Sequence, residues 1–132
     1  MSNNDPAGAL AELITNAIDK RAAELRVALP CRVTAFDSVM GKATVVPLLQ
    51  LGPNSPAPIL NVPALGQRFR AEGGGTLMLL PDLHLGDTVY VVCADRHIKT
   101  AQTGQTAKPD SSRAHDINDA VIVGVFPCSL QS

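Results

Sequence analysis

Aromatic side chains are scarce in this sequence, which holds one tyrosine, three phenylalanines and no tryptophan among 132 residues. Proteins that bind single-stranded nucleic acid stack bases on aromatic rings and follow the phosphates with a basic groove. The formal net charge is −1, so the chain has no overall basic field that would attract a polyanion. Both shortages argue against nucleic acid as a partner.

Long apolar runs are also missing. None approaches the roughly 18 residues that a membrane-spanning helix needs. The first ten residues, MSNNDPAGAL, lack the basic and then apolar order of a signal peptide. We therefore expect a chain that is made in a cytoplasm and does not itself insert into a membrane.

Cysteine is sparse and unpatterned. Cys31, Cys93 and Cys128 form an odd set without a CxxC spacing, whereas zinc sites and disulfide frameworks need closer pairs or more members. Cys31 and Cys93 fall inside strand-like runs, where a free thiol behaves as a small apolar group. We expect no disulfide, no metal site and no cofactor.

The clearest element that the sequence does contain is a strand within Leu85–Arg96, LGDTVYVVCADR. Gly86-Asp87 favours a tight turn, and the β-branched, aromatic and small apolar residues Thr88–Cys93 follow it. Because neither side-chain set of this strand is typical of a solvated face, we expect both faces to be covered.

The N-terminal region predicts an amphipathic helix of about five turns. Asp5 is suited to cap it and Pro6 to occupy its first position. An apolar stripe recurs at helical spacing, and its members are Leu10, Leu13, Ile14, Ala17, Ile18, Ala22 and Leu25. Two interpretations stay open, namely that this stripe packs on its own domain or that it packs against a neighbouring chain.

Alternating and continuous apolar patterns predict further strands after Pro30. The first strand should place Cys31, Val33 and Ala35 on one face. A turn at residues 38–41 leads to a second strand, in which Pro47 indicates an edge or a bulge. The glycine-rich segment 66–75 is interpreted as a flexible hairpin loop rather than a phosphate cradle, because no Lys-Ser/Thr pair follows it. The predicted strands are Cys31–Asp37, Lys42–Leu51, Thr76–Leu80, Thr88–Cys93 and Ala120–Phe126, and Ile59–Leu65 is a shorter, weaker strand candidate cut by Pro63.

These elements predict a mainly β protein, a small five-stranded Greek-key barrel of the OB type preceded by an α-helix. We divide the chain into a helical assembly arm at residues 1–28, a barrel at 29–128 and a short tail at 129–132.

Two polar clusters have alternative interpretations as chemical sites. Asp82, His84 and Asp87 are close enough in sequence for a metal, but their turn context favours ordinary turn hydrogen bonds. His115 beside Asp116 resembles half of a catalytic dyad, yet no nucleophile motif such as GxSxG accompanies it. We expect a structural histidine with satisfied hydrogen bonds and no catalytic residue. Asp116 and Asp119 should accept backbone amides, with Arg113 pairing to either one.

Three stretches, taken in order from Leu29 to Pro127, resemble the N-terminal OB domain of bacteriophage baseplate spike proteins. These proteins form the central spike of contractile tails, including the phage Mu type. The stretches are LPCRV with Phe36-Asp37 and Ala43-Thr44-Val45, then Val62-Pro63 with Gly86-Asp87 to Asp95-Arg96, and finally Arg113–Pro127, which includes Arg113, His115, Asp116 and Asp119.

The resemblance implies a non-enzymatic OB barrel that assembles as a homotrimer on the tail axis and joins the baseplate hub to the spike. Such a protein would reside in the virion tail baseplate, and in the host cytoplasm during assembly. Spike proteins of this kind continue into a trimeric β-helical needle that often holds a metal at its apex. Because this chain stops at Ser132, we expect a platform for a separate needle or spike-tip protein.

Apolar residues on both faces of several strands give an independent reason to expect a homo-oligomer, since a lone antiparallel barrel normally keeps one face wet. On the last strand, the outward-facing interface residues are either Val121 and Val123 or, on the other face, Ile122 and Phe126. The predicted interface residues are Leu10, Leu13, Ile14, Ile18 and Leu25 on the helix, and Val46, Leu48, Val121 and Val123 on the strands. The alternative functions are a single-strand nucleic-acid-binding OB module, which charge and aromatic content oppose, and an enzyme that uses His115 with Asp116 or Asp119.

Overall fold

A computed structural model describes residues 5–50, 52–109 and 112–131. It contains one α-helix, seven strands and three short 3₁₀ turns in the described part of the chain. The helix and strands are α1 (Pro6–Glu24), β1 (Ala28–Asp37), β2 (Lys42–Pro47), β3 (Ile59–Pro63), β4 (Gln67–Arg70), β5 (Thr76–Leu79), β6 (Thr88–Cys93) and β7 (Ala120–Val125). The 3₁₀ turns are Ala101–Thr103, Ile117–Asp119 and Pro127–Ser129.

Five strands form one curled antiparallel sheet in the order β3-β2-β1-β6-β7. Its two outer strands approach each other just beyond β3, where Ala64 forms a parallel bridge with Ile122. The amide of Leu65 donates to the carbonyl of Ile122 at 3.1 Å. The sheet therefore curls into a half-barrel whose strand order and closing contact are those of a small OB-type barrel, as the sequence predicts.

The core lies inside this curled sheet and consists of small and β-branched side chains. Cys31, Val45, Val89 and Val91 have no measurable exposure. Leu83, from the loop that follows β5, also contributes to the core. The buried apolar residues are Leu29, Cys31, Val33, Ala43, Val45, Ile59, Val62, Leu83, Val89, Val91, Cys93, Ala120 and Ile122.

A bulge in β1 changes the face assignment that simple alternation predicts. Val33 pairs with Val45 while Ala35 pairs with Thr44, so the register shifts at Thr34. After the shift, Ala35 is exposed and Phe36 packs against the core. The expectation that Ala35 shares the inner face with Cys31 and Val33 is wrong, because the extra residue reverses the alternation.

β2 is shorter than predicted and ends at Pro47. It lies between β1 and β3, but β3 pairs with it only as far as Val45. Pro47 therefore lies beyond the doubly paired stretch, at a strand end where a missing amide donor breaks no ladder bond. The predicted continuation runs through Leu48 to Leu51, and Leu51 lies outside the described residues.

The segment interpreted as a flexible loop forms a regular hairpin. β4 pairs with β5 through four residue pairs, from Gln67 with Leu79 to Arg70 with Thr76. The turn is closed by the amide of Ala71, which donates to the carbonyl of Gly75 at 2.7 Å. Gly73 and Gly74 have φ values of +97° and +98°, which glycine adopts at little cost. The prediction of a loop at residues 67–70 is therefore wrong.

α1 begins as predicted, with the side chain of Asp5 accepting from the amide of Gly8 at 3.1 Å. Every residue of the helix is exposed. The chain then joins the barrel through Arg26, whose amide donates to the carbonyl of His115 at 2.9 Å. Of the two interpretations of the stripe, packing on its own domain does not occur in this structure. Within the described residues, no helix has the length and apolarity needed to cross a membrane.

Candidate functional site

Asp119 is the buried charged residue at the centre of the segment that leads into β7. Its carboxylate accepts two hydrogen bonds from Arg113, at 2.7 Å from Nε and 2.8 Å from Nη2. It also accepts the amide of Ile98 at 3.2 Å. The hydrogen bonds from Arg113 hold the pKa of the Asp119 carboxyl below its usual value, although burial acts in the opposite direction. The same contact raises the pKa of Arg113.

The structure shows which of the two carboxylates, Asp116 or Asp119, pairs with Arg113. The bidentate pair is formed with Asp119, while Asp116 caps the 3₁₀ turn by accepting the amide of Asn118 at 2.8 Å. A long connection, residues 94–119, joins β6 to β7. Because Asp119 also binds the Ile98 amide, one carboxylate links the start of this long connection to its end. Asp116 and Asp119 therefore have structural roles, since each carboxylate accepts a hydrogen bond from a backbone amide.

His115 differs from the satisfied histidine that the sequence suggests. Its backbone has a φ of +47°, in the left-handed region that non-glycine residues rarely adopt. Its carbonyl accepts from Arg26 and its amide donates to Asp95 at 3.4 Å. Its Nδ1 is buried and has no hydrogen-bond partner among the described residues. The expectation that the ring has satisfied hydrogen bonds is wrong at Nδ1. The hydrogen bonds that hold this residue are those of its backbone amide and carbonyl.

The Gly86-Asp87 motif forms the turn that sets the start of β6. Gly86 has a φ of +92°, and its amide donates to the carbonyl of Val33 at 2.8 Å. The Asp87 side chain accepts the amide of His84 at 2.8 Å, while the His84 ring meets Asp82 at 3.2 Å. No group of three or more His, Cys, Asp or Glu side chains in the described ranges is placed to hold a metal ion.

The Asp95-Arg96 pair marks the exit from β6. The carbonyl of Asp95 accepts both the amide of His115 at 3.4 Å and the Arg96 guanidinium at 2.8 Å. The two motifs that flank β6 are thus tied to β1 at one end and to the segment before β7 at the other. Their role in the structure is to fix the ends of the central strand.

The thiols of Cys31 and Cys93, which lie on strands, are buried. Burial raises the pKa of Cys31 to about 11, with a smaller contribution from Cys93. Burial also raises the pKa of Cys93. A thiol that stays protonated is a poor nucleophile and metal ligand. Cys128 is exposed, and all three cysteines are free.

Four of the predicted interface residues lie on α1, on a surface that no other described residue covers. Leu10, Leu13, Ile14 and Ile18 are 60%, 67%, 51% and 62% exposed. Leu25, at the end of the helix, is half-buried. These side chains form the arm stripe, defined here as Leu10, Leu13, Ile14 and Ile18.

The predicted interface residues on the strands lie on the outside of the barrel. Val46 and Val121 are half-buried there, whereas Leu48 and Val123 are more exposed. Ile122, by contrast, belongs to the core. Val46 on β2 and Val121 on β7 are separated by β1 and β6, so the set spans the outer face instead of forming one cluster.

A further apolar surface, missed at the sequence level, lies on the β4–β5 hairpin. Phe69 pairs directly with Leu77, and Leu79 lies two residues further along the same face. These three side chains are 50%, 51% and 47% exposed, and we name them the hairpin face. Its signal is the alternation of Arg68, Phe69 and Arg70, followed after the glycines by the apolar run Leu77–Leu79. The adjacent triple glycine obscured it.

An apolar depression on the outer side of β6 and β7 was also missed. The rings of Tyr90 and Phe126 meet edge to face, with centroids 5.6 Å apart and planes at 88°. On β7, Gly124 pairs with Tyr90, and a Cβ placed on Gly124 would meet open space. The resulting hollow, the outer depression, has a volume of about 440 Å³ and is lined by Tyr90, Gly124, Val125, Phe126 and Pro127.

Comparison with known proteins bears on the barrel. The comparison with curated proteins gives no match. A family model described as the phage protein Gp138 N-terminal domain matches residues 29–124. This match covers all seven strands except the first residue of β1 and the last residue of β7, and it begins after α1. The chain therefore belongs to the Gp138 N-terminal domain family of phage proteins.

Proposed function

We propose that this chain is a structural component of a contractile tail baseplate, a trimeric OB platform that links the tail hub to a needle or spike-tip protein. The family is one of phage proteins, which supports a place in the virion. The sequence resemblance to baseplate spike proteins, the phage Mu type included, supports the finer assignment to the tail axis. During assembly the chain would reside in the host cytoplasm.

The arm stripe carries this proposal. Four large apolar side chains on one helix stand more than half exposed, outside the segment that the family model matches. Burying one such side chain is worth roughly 1.5–3 kcal/mol, so leaving four in water is unfavourable. A helix of this kind is suited to pack against neighbouring subunits or the hub.

The interior polar groups support a structural role over an enzymatic one. Asp119 accepts hydrogen bonds from Arg113 and from the backbone amide of Ile98, and the Cys31 and Cys93 thiols are buried. These groups hold the fold together and leave no side chain poised for nucleophilic attack among those identified from the sequence. We accordingly propose a protein without catalytic activity that neither binds nucleic acid nor enters a membrane itself.

Location within tails tests this proposal. Contractile tails purified from the phage or cell that encodes the chain would be labelled with an antibody to it and imaged by electron microscopy. We expect label at the baseplate end and, by quantitative mass spectrometry, three copies per tail. Label along the sheath, or tails without the protein, would refute the assignment.

A further inference from the structure

The β4–β5 hairpin is a separate two-stranded sheet, and no described residue outside it buries its side chains. All eight residues of its two strands are exposed. An isolated two-stranded hairpin is marginally stable in water, and packing against another element is what normally stabilises it. The hairpin face therefore needs a surface to cover it.

The chain itself presents a surface of matching character in the outer depression. It is a shallow, open surface in which Gly124 exposes bare backbone beside the rings of Tyr90 and Phe126, which contact each other edge to face. The hairpin face is uncharged as well, because Arg68 and Arg70 pair with Met78 and Thr76 on the opposite face. A protruding Phe69 or Leu77 has the size and chemistry that such a hollow accepts.

Within one chain, these two surfaces do not cover each other. Phe69 and Leu77 are half exposed, and Tyr90 is 39% exposed, in the same molecule. We infer that the hairpin face of one copy packs into the outer depression of the next copy. This inference rests on the proposed trimeric function and deepens it by naming the contact.

The identity of the partner follows from continuity and symmetry. Val123 precedes Gly124 on β7 and is 46% exposed. It is one of the interface residues predicted from the sequence. A contact between two different surfaces repeats in one direction and closes a ring when the rotation permits it. In a ring, every copy covers both of its apolar surfaces. A different partner protein at the hairpin would leave the depression open.

The estimated area is consistent with one contact among several. Three half-exposed large side chains contribute roughly 300 Å² from the hairpin face. The depression is shallow and open and contributes a smaller area. A stable interface buries about 1,200–2,000 Å². The hairpin contact would thus supply roughly a fifth to a third of that area, and the arm stripe is the natural source of the remainder.

A matched pair of substitutions on one strand tests the contact. Leu77→Arg places a charge on the hairpin face, whereas Met78→Arg places the same charge on the opposite face at a side chain that is 59% exposed. We expect Leu77→Arg to raise the dissociation constant of the trimer by roughly tenfold or more. Met78→Arg should leave it unchanged. Sedimentation equilibrium of the full-length chain measures both.

A second variant addresses the receiving surface. Gly124→Val fills part of the depression with a residue that strands favour, at a site where an added Cβ meets open space. We expect an intact barrel by circular dichroism and a trimer weakened by a similar factor. A trimer of unchanged strength would contradict the assignment of the depression.

Cross-linking between copies identifies the contact directly. Phe69→Cys and Val123→Cys would be made separately in a Cys128→Ser background, which removes the exposed native thiol and leaves two buried ones. A short bismaleimide should join the variants when they are mixed and allowed to exchange, and should join neither variant alone. Equal effects of both arginine substitutions, or no cross-link in a trimeric mixture, would overturn this inference and leave the proposed function standing. A monomeric wild-type chain would contradict both.

Discussion

Asp119 shows how one residue holds the long connection before β7. It is 2% exposed and binds Arg113 and the Ile98 amide through its carboxylate. The sequence identified Arg113 as a partner for Asp116 or Asp119 but left the choice open, because a spacing of three or six residues decides nothing in an irregular segment. The choice depends on where Ile98 lies, which only the fold determines.

Replacing Asp119 with asparagine should lower stability and flatten its pH dependence. The loss of charge-assisted hydrogen bonds predicts a decrease in the free energy of unfolding of about 1–3 kcal/mol at pH 7. Since the folded-state pKa of Asp119 lies below the unfolded value, which is about 3.9, its stabilisation is present above that value and disappears as pH falls through the folded-state pKa.

Urea denaturation between pH 7 and pH 2 measures this effect. The wild type should lose more stability than Asp119→Asn as the pH falls below about 4. Asp116→Asn is the control, because asparagine can still accept the Asn118 amide. Parallel stability curves for the wild type and Asp119→Asn would contradict the role given to the ion pair.

His115 provides a second test at the residue scale, because its left-handed backbone aims its carbonyl at Arg26. Glycine adopts a positive φ freely, whereas alanine pays roughly 1 kcal/mol or more. His115→Gly should therefore be more stable than His115→Ala by about that amount, although both lose the ring. Equal denaturation midpoints for the two variants would show that the strained backbone does not contribute.

At the scale of elements, side-chain periodicity identified the helix and most strands but not their irregularities. α1, β3, β6 and β7 follow from capping residues and apolar patterns. The bulge at Thr34 does not, because it arises from pairing with β2. β4 was missed because four residues with two arginines are indistinguishable from a loop until β5 is known to pair with them.

The arm stripe makes a prediction for α1 as an element. All of its residues are exposed, so deleting residues 1–24 should leave a barrel that unfolds cooperatively, with Arg26 retained to bind His115. The truncated chain should no longer assemble with its tail partners. Thermal unfolding and sedimentation measure the two properties separately, and an unfolded truncation product would show that the helix is needed for the core.

A matched pair of point variants refines this test. Ile14→Asp introduces a charge into the arm stripe, and Asn16→Asp introduces the same charge on the other side of the helix. We expect only Ile14→Asp to weaken assembly, because burying an unpaired carboxylate is costly. Equal behaviour of the two variants would indicate that the stripe does not mediate assembly.

For the whole molecule, charge and composition predict negligible binding to nucleic acid. The net charge is −1, and non-specific affinity comes mainly from neutralising phosphates. Fluorescence anisotropy with labelled single strands at low salt is the appropriate measurement. Saturable binding near micromolar concentration that weakens steeply with added salt would favour the nucleic-acid-binding alternative.

The sequence predicted the fold class and outer apolar residues at Val46, Leu48, Val121 and Val123, but not the hairpin face or the outer depression. Apolar residues on both faces of a strand indicate that something covers them. They do not show whether the covering surface belongs to the same chain or to a partner, because either one requires the same apolar pattern in the strand. The hairpin face and the outer depression became visible only once the strands were paired.

The oligomeric state tests the central claim most directly. Light scattering coupled to size-exclusion chromatography gives the mass of the full-length chain in solution at micromolar concentration. A homotrimer predicts a mass three times that of the 13.8 kDa chain. A stable monomer would contradict the interface argument, and a dimer would contradict the three-fold platform.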